Sequence, residues 1–137
     1  MTVKEQLLLL PKLESALRSK RIRLEALKDL SVSVAGQQIT GMPRNPSPSV
    51  SRMSDTVGRI VDLEREITED EQTLENVKVR LLEYIGELDE QKQAVVIGRD
   101  FRHEPWNSLS ATQYYSVRWL QEQHREALRL LDEKDFA

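Results

Sequence analysis

The sequence predicts an all-α protein: a long antiparallel coiled-coil hairpin followed by a small C-terminal helix-turn-helix domain. Three observations predict it. Apolar residues recur at alternating intervals of three and four along two long segments, the spacing of one helix face. A stretch rich in proline and glycine separates those segments. Beyond them, the run from Trp106 to Leu131 reads as a short helix, a tight turn and a longer helix. The expected division is residues 1–89 for the hairpin and 90–137 for the C-terminal domain.

The first helix is expected from about Val3 to Val34. Thr2 and Glu5 have the spacing of a capping box at its start. Its stripe is Leu10, Leu13, Leu17, Leu24 and Leu27, with Lys20 filling one slot. Pro11 falls inside this segment, where it predicts a kink or a fresh helix start. Residues 36–54, with three prolines and two glycines, show no periodicity and are expected to form a flexible loop. From about Ser54 to Asp89 the stripe returns as Ile60, Leu63, Ile67, Asp70, Leu74, Val77, Leu81, Tyr84 and Leu88.

The two stripes also predict their own register. Centring one on the other sets Leu13 against Val77, Leu17 against Leu74, Leu24 against Ile67 and Leu27 against Leu63. The same alignment puts the two polar interruptions, Lys20 and Asp70, opposite each other in the middle layer. A polar pair in an apolar seam costs stability and fixes register. Ile22, Leu30, Val61, Leu82 and Ile85 lie off the stripes, so the hairpin is expected to pack against a second copy of itself or against the C-terminal unit, with a homodimer preferred.

In the C-terminal part, Glu90 to Phe101 carries enough apolar residues for a buried supporting helix. Pro105 suits the first position of the next helix, and Trp106 and Leu109 face inward from it. Ser116 is the expected N-cap of the last helix, whose inward face is Leu120, Ala127, Leu128 and Leu131. Arg118, Gln121, Glu122 and Arg125 occupy the opposite face. These are residue types that contact base edges or phosphates in the major groove.

Charge is distributed unevenly around its net value of −3. Residues 1–53 carry 9 basic and 4 acidic residues, residues 54–91 carry 4 and 12, and residues 92–131 carry 6 and 4. The C-terminal unit is therefore mildly basic, which permits nucleic-acid binding without requiring it. Charged residues make up 31% of the chain and aromatics 5%, a balance that favours long solvated helices over one thick core.

The segment from Arg99 to Leu131 resembles the region-4 DNA-binding domain of sigma-70-type factors. It also resembles the helix-turn-helix of small phage and prophage regulators described as ArpU- or RinA-like. Arg99 and Phe101 match the opening of the phage pattern, Trp106 and Leu109 its Trp-x-x-Ile step, Tyr115-Ser116 its turn, and Ala127-Leu128 its close. The N-terminal coil, the Pro/Ser-rich break and the run beginning at Val57 extend the likeness over nearly the whole chain. The resemblance implies base contacts from Val117, Arg118, Gln121 and Glu122 after Ser116, with Arg125 and Arg129 nearer the backbone. It implies a regulator of late phage genes in the cytoplasm of a bacterial host cell, binding double-stranded DNA as a dimer. Two positions depart from the pattern. Tyr114 stands where the turn glycine belongs, and Gln113 replaces an apolar residue, which predicts a distorted turn.

Other chemistries find no support in the residues. With no cysteine there are no disulfides and no thiolate metal sites. His103 and His124 have no metal-ligand spacing, and each is expected at a surface or helix edge. The acidic run from Glu64 to Glu71 reads as a solvated coil face, and the glycines form no phosphate loop, so neither an enzyme nor a cofactor is expected. No run approaches the roughly 18 apolar residues of a membrane span. Leu7 to Leu10, short and preceded by Glu5, is not expected to act as a signal peptide. The competing expectation is a coiled-coil structural or adaptor protein that contacts protein, such as RNA polymerase or another phage component, without reading DNA.

Overall fold

The computed structural model describes residues 1–39 and 47–137. The chain is all-α, with helices α1 (Val3–Ile39), α2 (Ser47–Ile85), α3 (Glu90–Val96), α4 (Trp106–Gln113) and α5 (Val117–Asp132). A single π-helical turn, Ile97–Phe101, joins α3 to the loop before α4. Among the described residues no strand forms, and none of the helices is long and apolar enough to cross a membrane.

The capping box at the start of α1 is formed reciprocally. Glu5 N–H donates to Thr2 Oγ1 at 3.1 Å, and Thr2 N–H donates to the Glu5 carboxylate at 3.0 Å. The helix then runs through Pro11 without restarting. Of the loop expected over 36–54, residues 36–39 instead continue α1 and residues 47–54 belong to α2. Residues 40–46 lie outside the described residues. Pro48 suggests a breaker by composition, yet it sits in the first turn of α2. Its missing N–H has no intrahelical acceptor to lose there. At its other end α2 stops at Ile85, short of Asp89, which instead caps α3.

By compactness the chain divides within the two long helices and not at residue 89. One unit is Lys12–Glu75, a pair of antiparallel helical segments. Its core is the buried set Leu17, Leu63 and Ile67, with Leu24, Leu27 and Leu74 packed against it. The Lys20 ammonium donates to Asp70 Oδ2 at 2.6 Å and lies 3.6 Å from Glu66. Arg21–Glu71 at 2.9 Å and Lys28–Glu64 at 3.5 Å flank that layer. The hydrogen bond to Asp70, aided by the nearby carboxylate charges, raises the Lys20 pKa above the usual lysine value. The pairing is therefore present throughout the neutral range and is lost as pH rises through that raised value. Leu13, expected in the stripe, stays 39% exposed, and its neighbour Glu14 is the more covered of the two.

The other unit joins Met1–Pro11 to Asn76–Ala137. Val3, Leu7, Leu10, Leu81, Ile85 and Leu88 are buried here. The two chain ends are tied to each other: Val3 N–H donates to the Lys134 carbonyl at 2.9 Å, and Phe136 N–H to the Met1 carbonyl at 2.9 Å. Thr2 Oγ1 adds a bond to Asp132 Oδ1 at 3.0 Å. Phe136 anchors the tail, with its ring 5.8 Å from that of Tyr84 and the Arg80 guanidinium 4.4 Å from its centroid. Of the off-stripe residues, Ile85 is buried in this unit, whereas Ile22, Leu30, Val61 and Leu82 remain exposed.

Candidate nucleic-acid interface

The C-terminal helices are positioned from α3 onward. Asp89 caps α3 by accepting from Lys92 N–H at 2.9 Å and from the Lys92 ammonium at 2.7 Å. The ammonium contact, followed by the backbone one, holds the Asp89 carboxyl below the usual carboxylate range. α3 packs on α5, and its buried Val95 joins Leu109 of α4 and Leu120 of α5 in a small core edged by Trp106 and Trp119. In the π-helical turn, Arg102 N–H bonds back five residues to the Ile97 carbonyl at 3.1 Å. That turn brings Gly98 against Leu109: a Cβ built on Gly98 would lie 2.4 Å from Leu109 Cδ2.

Polar contacts brace the same core. His124 Nε2 lies 2.8 Å from Asp100 Oδ2, with both side chains under one-fifth exposed, and the imidazole meets Trp106 edge-on at 5.4 Å. The Arg99 guanidinium lies over the same Trp106 ring, 4.7 Å from its centroid, and donates to the Glu104 carbonyl at 3.1 Å. His124, expected at a surface or helix edge, is thus a half-buried bridge between α5 and the π-helical turn. The sequence held one signal for this, since His124 falls on the same α5 face as Leu120, Ala127 and Leu131.

The turn adopts the conformation a glycine would favour. Tyr114 closes α4 with φ 61 and ψ 30, its N–H bonded to the Ser110 carbonyl at 3.0 Å. Ser110 Oγ donates to the Tyr115 carbonyl at 2.6 Å, which holds the residues that follow. Gln113 is half-buried and donates from its amide to the Ala94 carbonyl at 3.3 Å, so a polar contact closes the position where an apolar residue was expected. Pro105 is the residue before α4, one position earlier than expected. Since Tyr114 is 91% exposed, its side chain offsets little of the left-handed strain. Tyr114→Gly is therefore expected to stabilise the protein by about 0.5–1 kcal/mol, the strain relieved less the extra backbone entropy of glycine. An unchanged or lowered denaturation midpoint would show the turn unstrained.

Ser116 caps α5 as expected, its Oγ accepting from Trp119 N–H at 3.1 Å, and Tyr115 stacks on Trp119 with ring centroids 4.1 Å apart. Leu120, Ala127 and Leu131 are buried and Leu128 is half-buried. Val117 is half-buried at the helix start, while Arg118, Gln121, Glu122 and Arg125 are all exposed on one face. Arg118 is within 3.7 Å of Glu122. Arg129, expected nearer the DNA backbone, is held by two carboxylates of its own helix end, Glu126 at 2.5 Å and Glu133 at 3.0 Å. Its guanidinium draws the Glu126 carboxyl below the usual range. A phosphate at Arg129 would have to displace these acids. Comparison with known protein families, with curated proteins and with solved structures gives no match to this chain.

Proposed function

We propose that α4, its turn and α5 form a DNA-binding helix-turn-helix and that the protein is a transcriptional regulator. The observation that carries this is the α5 surface. One face is locked into the core by Leu120, Ala127 and Leu131, and the other presents Arg118, Gln121, Glu122 and Arg125 to solvent beside a capped N-terminus. That is the arrangement by which a recognition helix enters the major groove. The sequence resemblance to phage late-gene regulators supports the same reading, and with it we propose that the protein works in the cytoplasm of a bacterial host. The coil is proposed to supply a second copy, since helix-turn-helix proteins commonly bind paired half-sites as dimers.

One observation favours a protein partner in place of DNA. Acids share the outward face of α5 with the arginines, and Arg129 is already neutralised by its own neighbours. An adaptor that contacts RNA polymerase or a phage component would use such a mixed surface. Selection from a random duplex pool at two salt concentrations separates the readings. A DNA reader enriches a sequence and loses affinity steeply with salt. No enrichment at low salt would leave the adaptor. Arg118→Ala with Gln121→Ala is expected to reduce preference for the enriched sequence roughly tenfold or more while helicity stays unchanged. Retained preference in the double variant would place the reading face elsewhere.

A further inference from the structure

Within the Lys12–Glu75 unit an open groove of about 470 Å³ runs along one flank of the helix pair, with Leu27, Leu30, Arg59, Asp62, Leu63 and Glu66 in its lining. Its floor is apolar, and Leu30 is 59% exposed in it. The α2 rim carries both signs of charge in a definite order. Arg59 and Glu66 are seven residues apart, so they occupy the same angular position on α2, two turns from each other. Their midpoint falls between Asp62 and Leu63.

That order is self-complementary. We infer that this groove takes a second copy of the same chain across a two-fold axis at Asp62–Leu63, with the α2 segments antiparallel and Arg59 of each copy paired with Glu66 of the other. A two-fold interface requires that if residue i meets residue j, then j meets i. Reversing α2 about the midpoint sends position 59 onto 66 and 66 onto 59, so both rim contacts join opposite charges. Asp62 lies one turn from each Glu66, within reach of the same incoming arginine. Leu27 then lies at the level of the axis, and Leu30, three residues on, is covered by the partner's helix pair and leaves solvent. The inference specifies the dimer surface in the proposed function, but its test involves no DNA and stands or falls by itself.

The test is sedimentation of the full chain. The wild type is expected to be dimeric. Arg59→Glu sets two pairs of like charges together, as does Glu66→Arg, and each variant is expected to dissociate roughly tenfold more readily or to be monomeric. Mixing the two single variants restores opposite charges at both contacts, so the mixture is expected to recover the dimer that neither forms alone. Leu30→Lys, at an exposed position, is expected to be monomeric with full helicity by circular dichroism. A monomeric wild type up to its solubility limit would overturn the inference. So would a dimer insensitive to all three substitutions, or a mixture no more associated than its components.

Discussion

Gly98→Ala is expected to destabilise the protein by about 2 kcal/mol, within the usual range for overpacking a core. The added methyl would lie 2.4 Å from Leu109 Cδ2, closer than real Cβ contacts. Leu109 has nowhere to retreat, being 1% exposed and held between Val95 and Leu120. Glycine is required here by approach and not by backbone conformation. A shift in the denaturation midpoint at constant slope would report it. Gly58 supplies the control. A Cβ there meets nothing within 4 Å, so Gly58→Ala in the interior of α2 is expected to stabilise by about 0.5–1 kcal/mol. Equal effects at the two glycines would mean that the π-helical turn is not packed on Leu109 as described.

Leu120→Ala is expected to cost about 3 kcal/mol, the middle of the range for a large-to-small change at a fully buried site. Leu120 is 0% exposed and contributes α5's share of the core with Val95 and Leu109. The cavity left behind has rigid walls, since Trp106 and Trp119 close its edge and are themselves tied by the Arg99 and Tyr115 contacts. α5 is the element that carries the proposed reading face, so loss of its anchor should weaken any DNA binding in parallel with stability. Arg118→Ala should differ by leaving stability alone. A Leu120→Ala variant as stable as the parent would put the core of this domain elsewhere.

What the sequence revealed was set by period and by chemistry with short reach. The heptad phase alone aligned Lys20 with Asp70, and the structure joins them at 2.6 Å. Ser116 could be read as a cap because capping depends on a serine and the residues just after it. Pro48 reads as a breaker because composition cannot tell a proline within a helix from one in its first turn, and the latter costs nothing. Three features were hidden because they depend on residues far apart in the chain or on an irregular backbone. The π-helical turn leaves no periodic signal in five residues. The bridge from His124 to Asp100 spans 24 residues, and the ties between Met1–Val3 and Lys134–Phe136 span nearly the whole sequence. The proposed reading face was legible as a polar helix face, but the neutralisation of Arg129 by Glu126 and Glu133 depends on side-chain geometry that the pattern does not encode.

Contact between DNA and the outward face of α5, as proposed, can be read residue by residue from amide chemical shifts. A generic duplex titrated at low salt suffices, because non-specific phosphate contacts already occupy the docking surface. Shifts are expected to concentrate from Ser116 to Arg125 and to fade as salt is raised, with the buried positions around Leu131 little changed. Absence of shifts on α5, or shifts confined to the basic residues of α1, would contradict it.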